Sequence, residues 1–382
     1  MKRKITVTTG TRAEFGLLRP VLQEISKSKK LELFVIVAGM HLSKKFGNTM
    51  KEIKKDGFSV HGKVRMVTSN DTNYDMAVSL GKGVIEFSKI FKKIKPSINL
   101  ILGDRDEALA SVLAAYHMNI PNAHIHGGDK TKAGIDEYNR HAITKMSNIH
   151  FAVTQKSKNR ILRMGEKPTN VFYTGSPGID DIISERITSK KLLEKKFKLK
   201  FNGDEIILLQ HPVTTQSENS SKEIENVMKA IFKLKKNTIC ISPNSDAGNN
   251  SIFQCLRKYS KYDFITVHNN IPRPDFLALL KNCGVLVGNS SSGMIEGGYF
   301  PISIINIGIR QKDRERGNNV IDVSSYSSRL IYRAIKQALD NRNRKKFLNK
   351  FVYGKGNSSK KIVKILENIP VNKNLIQKQI VY

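Results

Sequence analysis

Short apolar runs rich in β-branched residues alternate with amphipathic stretches along the whole chain. ITVTT (5–9) is followed by a helical pattern from Phe15 to about Lys27, and then by LFVIVAG (33–39). A further helix and a strand near 58–66 lead into a long helical stretch, 74–94. NLILGD (99–104) precedes a helix from about Asp106 to His117, and AHIH (123–126) precedes a Gly127-Gly128-Asp129 loop. The strands read as continuous apolar runs, the pattern of a parallel sheet covered by helices on both faces. After a helix over about 136–147 and strands at 149–153 and 170–173, Thr174-Gly175-Ser176-Pro177-Gly178 breaks the rhythm as a hinge would. The alternation then restarts with EIILLQ (205–210), TICIS (238–242), DFITVH (263–268), GVLVGN (284–289) and ISIINI (302–307). The expected class is α/β: two doubly wound domains, 1–175 and 176–382, facing each other across a cleft, with C-terminal helices able to pack back on the first domain. Ligands bind such sheets beyond the carboxyl ends of the strands, so the chemistry is expected in the loops that follow them.

Composition narrows the function classes. The 382 residues carry 65 Lys plus Arg against 33 Asp plus Glu, a formal net charge of +32. Such a balance suits a nucleic-acid binder. The Lys residues are nevertheless spread through helical and tail segments, densest in 186–200, 222–236 and 341–379, without the aromatic interleaving of single-strand binders. A solvated Lys-rich surface is therefore expected, with no nucleic acid as main partner. No apolar run approaches the roughly 20 residues that span a bilayer, and the N-terminal apolar run is too short for a secretion signal; a cytoplasmic location is the default expectation. Cys240, Cys255 and Cys283 form no close pair and are expected as small buried hydrophobes, neither a metal site nor a disulfide framework.

The loops carry the candidate chemistry. Gly10-Thr11-Arg12-Ala13-Glu14-Phe15-Gly16 follows the first strand and can bring backbone and the Arg12 guanidinium toward an anion, though an ordinary strand-to-helix turn explains it as well. Neither a Walker A loop nor a GxGxxG dinucleotide fingerprint occurs, so no nicotinamide or other cofactor is expected. Gly103-Asp104-Arg105-Asp106-Glu107 places Asp104 and Arg105 at the rim, with Asp106 read as the N-cap of the next helix. A helix starting near Asp136 would set Asp136–Arg140 and Glu137–His141 as i,i+4 pairs. His124 and His126 share a strand face without an HExxH or Cys partner, so no metal is expected and His124 reads as structural. Gly288-Asn289-Ser290-Ser291-Ser292-Gly293 runs from a strand into three hydroxyls at a helix start, a cradle suited to phosphate. Glu296 lies one turn further on, where it could reach a ribose diol, and Arg310, Arg314 and Arg316 add positive charge after the next strand.

GTRAEFG, LGDRDE, HIHGGDKTKAGIDEYNRHAITKMSNIHF, QHPVTT, GNSSSGMIEG and INIGIRQKDRERG occur in the order found in hydrolysing UDP-N-acetylglucosamine 2-epimerases of bacterial sialic acid synthesis. The resemblance covers about residues 4–325. It implies a GT-B fold of two Rossmann-like domains and conversion of UDP-N-acetylglucosamine and water to N-acetylmannosamine and UDP. It is less similar to the non-hydrolysing enzymes. By that resemblance Asp104 and Asp136 match catalytic carboxylates, and His126 and Asp129 stand as alternatives for a further acid/base role. His211, Ser290, Ser291, Glu296 and Arg310 match the nucleotide-diphosphate side, with Ser292, Gly293 and Arg105 beside them, and Arg12 matches a diphosphate or sugar contact. The same motifs suit a hydrolysing epimerase of UDP- or GDP-linked 2,4-diacetamido-2,4,6-trideoxyglucose, on the legionaminic acid route. A GT-B glycosyltransferase fits less well, because it does not need the Asp129/Asp136/Glu137 cluster. A homo-oligomer, a dimer by analogy, is expected.

Overall fold

The structure, a computed structural model, describes residues 2–68, 70, 72–132, 134–184, 187–340 and 351–381. Position 186 and residues 341–350 of the Lys-dense stretches lie outside the described residues.

The apolar runs form two all-parallel sheets. The first holds β1 (Arg3–Thr9), β2 (Leu31–Ala38), β3 (Val60–Val64), β4 (Ile98–Leu102), β5 (Asn122–Ile125), β6 (Ile149–Ala152) and β7 (Val171–Tyr173), in the order β3-β2-β1-β4-β5-β6-β7. The second holds β8 (Ile206–Leu209), β9 (Thr238–Ile241), β10 (Ile265–His268), β11 (Val285–Gly288), β12 (Ser303–Ile307) and β13 (Val320–Val323), in the order β10-β9-β8-β11-β12-β13. This is the GT-B architecture of two doubly wound halves. Ile98–Leu102 and Ile206–Leu209 are buried at every position, which accounts for their uninterrupted apolar sequence. Strand β13 escapes the sequence pattern because it sits at a sheet edge, half-exposed, with Asp322 in its middle.

Each sheet reverses its strand order once, between β1 and β4 and between β8 and β11. Crevices open at the carboxyl ends of those pairs. At the second, Gly288 lies so close to β8 that a Cβ there would stand 2.0 Å from the Leu209 carbonyl oxygen, so only glycine lets β11 turn out toward the crevice. The Ser358–Asn368 helix returns to the first half: Ile362, Val363 and Leu366 share a core with Leu18, Leu22 and Ile25 of the Arg12–Lys27 helix.

That helix begins at Arg12 rather than Phe15, for a local reason. Thr11 Oγ1 accepts the Glu14 N–H at 3.2 Å, and the Glu14 carboxyl accepts the Gly10 N–H at 2.6 Å. The reciprocal caps satisfy two otherwise orphaned donors and bring Arg12 into the first turn, at the crevice.

Candidate active site

One cavity runs between the two switch points. From the first half it is lined by Thr11, Arg12, Glu14, Asp104, Arg105 and Asp136, with Leu17, Met40 and Phe46. From the second half come His211, Asn244, Asn270, Arg273, Ser290, Ser291, Ser292, Glu296, Arg310 and Arg314. Among the described residues there is no group of three or more His, Cys, Asp or Glu placed to hold a metal ion.

The carboxylates differ in their partners. Asp104 follows β4 and accepts from Arg140 Nε at 2.9 Å and from its Nη2. Arg140 is 1% exposed, and also bonds Glu137 and the Asp129 carbonyl oxygen. Burial works against ionisation of Asp104, but Arg140, Arg314 and Arg310 together hold its carboxyl below the ordinary range. Asp136, in the first turn of the Ile135–Lys145 helix, does not take the expected i,i+4 partner. Arg140 turns inward to Asp104, and Asp136 reaches across the cavity to Arg310 Nη2 at 2.6 Å. Its carboxyl is pushed up to about 6, by burial first and then by Asp104 and Asp246, against the pull of Arg310. Glu137 and His141 do form their pair, at 2.9 Å.

Asp106 is likewise corrected. The helix runs Asp106–His117 with Arg105 in the cap position, and the Asp106 side chain instead accepts from Asn139 Nδ2 at 2.9 Å. Asp106 thereby ties its helix to the one carrying Asp136.

His126 and Asp129 are buried and do not form the cavity wall. Asp129 bonds His126 Nδ1 at 3.0 Å, Ser157 Oγ at 2.8 Å and Arg314 Nη2 at 2.9 Å. These contacts overcome its burial and hold it well below the usual carboxylate range. His126 Nε2 meets Ser176 Oγ at 3.0 Å. The triad stands behind Arg314, which does reach the wall. His124 is structural as read, bonded to the Gly103 carbonyl oxygen at 2.8 Å and to Thr144 at 3.2 Å.

On the second half Ser290 is the cap of the five-residue Ser291–Ile295 helix, its hydroxyl accepting the Ser292 N–H at 3.4 Å. Ser291 and Ser292 face the cavity. Gly293 does not: it is buried beneath, where a Cβ would stand 2.9 Å from Leu286 and 3.0 Å from Ile304, so its role is helix-to-sheet packing. Glu296 is on the wall but bound to Arg273, which also holds Asp181 at 3.0 Å. His211 is kept neutral, its imidazole pushed down to about 3 by burial and by Arg310. Arg105 crosses the cleft to Asp246 at 3.1 Å and Ser245 at 3.3 Å, and Arg12 to Asn270 at 2.6 Å. Arg316 pairs with Asp322 and the Gln311 carbonyl oxygen and does not line the cavity.

Asn270 and Arg273 were missed by the sequence reading. They follow β10, so the carboxyl-end rule applied to that strand as to the others would have found them. Chemically, the cavity sets carboxylates of opposite protonation tendency against a wall of guanidinium groups and hydroxyls, an arrangement that can bind a diphosphate and move protons beside it.

The chain matches the family described as UDP-N-acetylglucosamine 2-epimerase over residues 23–367. It is 36% identical over 99% of both chains to a UDP-N,N'-diacetylbacillosamine 2-epimerase (hydrolyzing) of Legionella pneumophila, and 33% identical to a UDP-N-acetylglucosamine 2-epimerase of Neisseria meningitidis over 88% of this chain and 87% of that one. A crystal structure of a Neisseria meningitidis UDP-GlcNAc 2-epimerase bound to UDP-GlcNAc superposes with a TM-score of 0.79 at 20% identity, covering 95% of this chain and 99% of that one. The protein belongs to the UDP-N-acetylglucosamine 2-epimerase family.

Proposed function

We propose that the protein is a hydrolysing 2-epimerase that converts a UDP-linked 2-acetamido sugar and water to the free 2-epimer and UDP. The observation that carries the reading is the meeting of Asp104 and Asp136 with Arg310 in one cavity. The C2 proton of such a sugar is not acidic, so its removal has to be coupled to departure of the diphosphate. Arg310, Arg12 and the Ser291 and Ser292 hydroxyls stabilise the charge that develops on that group. Asp136, the stronger base, takes the C2 proton as the C1–O bond breaks, which leaves a 2-acetamidoglucal and UDP. Water then adds its oxygen to C1 while a proton taken from solvent is relayed through Asp104 to C2 from the other face; the proton held by Asp136 and the one lost by the attacking water pass to solvent, which returns both carboxylates to their starting state. Asp129 and His126 act by fixing Arg314, a positioning role that replaces the acid/base role considered for them.

The favoured sugar is a 2,4-diacetamido-2,4,6-trideoxyhexose. Support comes from the full-length relative that carries diacetylbacillosamine in its name, and from Leu17, Met40 and Phe46, apolar groups suited to acetamido and C6 methyls. UDP-N-acetylglucosamine is the second reading, favoured by the Neisseria relative. Purified protein is incubated with each nucleotide sugar and the products are separated. Free 2-epimer and UDP in equal amounts, faster from the diacetamido substrate, are expected. An epimer still linked to UDP would refute hydrolysis, and a higher kcat/KM for UDP-N-acetylglucosamine would reverse the sugar assignment.

A further inference from the structure

Arg273 lines the cavity, yet its guanidinium is held by the protein itself. It opens the Arg273–Asn282 helix after β10 and reaches back to the segment that joins the two halves. Nε donates to Asp181 at 3.0 Å, Nη2 to the Gly178 carbonyl oxygen at 2.8 Å, and Nη1 to Glu296 Oε1. Gly178 and Asp181 belong to the Gly178–Ile183 helix at the junction of the halves, whereas Glu296 closes the Ser291–Ile295 helix of the second half. Asp181 and Glu296 are both buried. One planar fork thus ties together three groups that a single ammonium could not hold in the same geometry.

The first half makes room for this side chain. Gly16 sits inside the Arg12–Lys27 helix, where glycine is an unfavourable residue. A Cβ there would stand 2.5 Å from Arg273 Cδ, and with the guanidinium fixed at three points that carbon cannot give way. The passage of Arg273 accounts for the glycine, so the tie is built into both halves.

The consequence falls on Glu296. Its carboxyl stands on the cavity wall, and among the described residues it is bonded through Oε1 to Arg273 while Oε2 takes no partner. A carboxylate held by a guanidinium accepts hydrogen bonds and does not donate them, so what it can take from the cavity is a hydroxyl or an N–H. Ser291 and Ser292, one turn earlier, are the diphosphate side of the same short helix, and the hydroxyls nearest the phosphates of a nucleotide are those of its ribose. Free to rotate, a Glu side chain points nowhere in particular; pinned at Oε1, it keeps its second oxygen in one direction. Resting on the nucleotide reading of this cavity, we infer that Arg273 and Asp181 are positioning residues, which hold Glu296 with one oxygen turned to the ribose hydroxyls and so set the preference for a ribonucleotide over its deoxy counterparts.

The test titrates the full chain with UDP, 2′-deoxy-UDP and 3′-deoxy-UDP by calorimetry. The wild type should bind UDP about 10-fold or more tightly than at least one of the deoxy nucleotides, as loss of a hydrogen bond to a charged acceptor demands. Truncating Arg273 would strand Asp181 and Glu296 and endanger the fold, so Arg273→Lys is used, which keeps the charge and loses the fork. It should bind UDP about 10-fold more weakly and the deoxy nucleotides nearly as before, so that the preference shrinks to within about 3-fold. Asp181→Asn, at a residue off the cavity wall, should lower the preference in the same direction. Glu296→Ala should abolish it, and adding Arg273→Lys to that variant should change it no further. A wild type without preference, or an Arg273→Lys or Asp181→Asn variant that keeps the wild-type ratio or weakens all three nucleotides by one common factor, would overturn the inference. The readout is binding alone, so a failure to release free 2-epimer in the incubations above counts against the proposed reaction and not against this assignment, whereas a wild type that binds none of the three nucleotides would overturn both.

Discussion

The two halves of the cavity are built on the same parallel-sheet plan and do different things with it. The first half brings carboxylates: Glu14 after β1, Asp104 after β4 and Asp136 at the next helix start but one. The second half brings mainly cations and neutral polar groups: Ser291 and Ser292 after β11, Arg310 and Arg314 after β12, and a His211 kept uncharged, its one wall carboxylate, Glu296, being tied to Arg273, while the first half also contributes Arg12 and Arg105. The first half can exchange protons and the second can hold an anion, and the two meet in the Asp136–Arg310 pair. On the proposed reading a diphosphate arriving at Arg310 competes with Asp136 for it, so that substrate binding itself releases the base. The difference shows that shared topology fixes where chemistry sits, while the loop residues fix what it is.

The largest expected effect falls on the first half. Asp104→Asn and Asp136→Asn keep shape and remove basicity, so each should lower turnover by on the order of 10²–10⁴ without weakening UDP binding, measured by steady-state kinetics and calorimetry. Near-normal turnover in either would return that residue to an ion-pairing role. The second half should respond in the opposite manner. Arg310→Ala removes a guanidinium from the diphosphate and should weaken UDP binding by about 10–100-fold, a charge-assisted bond being worth roughly 1.5–3 kcal/mol. Equal UDP affinity in wild type and variant would break the division between the halves.

The junction predicts a pH dependence. In the proposed mechanism Asp136 is the base and must be ionised, so kcat/KM should fall as pH drops through about 6, where its raised carboxyl titrates. Because Arg310 pulls that carboxyl down, Arg310→Ala should move the acid limb to higher pH. A limb at the ordinary carboxylate range near 4, or one unmoved in the variant, would contradict the pairing. The smallest effect is expected at the cap. Thr11→Ala removes the acceptor for the Glu14 N–H and should cost about 1 kcal/mol of stability in denaturant unfolding, with Arg12 less firmly placed.

Strand positions were legible in the sequence where burial on both faces leaves a continuous apolar run, as in β4 and β8; β13 was not, because an edge strand needs no such run. Position on the cavity wall followed from the carboxyl-end rule for Arg12, Asp104, Asp136, Ser291 and Arg310. Pairing did not follow. Helical spacing offered Arg140 to Asp136, yet the Arg140 guanidinium turns to Asp104 while Arg310 meets Asp136 from across the cleft. Local spacing carries no information on partners more than a hundred residues away, and the tie of Asp129 to Arg314 is of that kind.

The central claim is that a proton leaves C2 and a different one returns. The direct measurement is conversion of the nucleotide sugar in D₂O without added nicotinamide, with the product analysed at C2 by NMR or mass spectrometry from the first turnover. Elimination and hydration predict one deuterium at C2 in every molecule of free 2-epimer. Product that retains its C2 protium would contradict the elimination and, with it, the roles of Asp104 and Asp136.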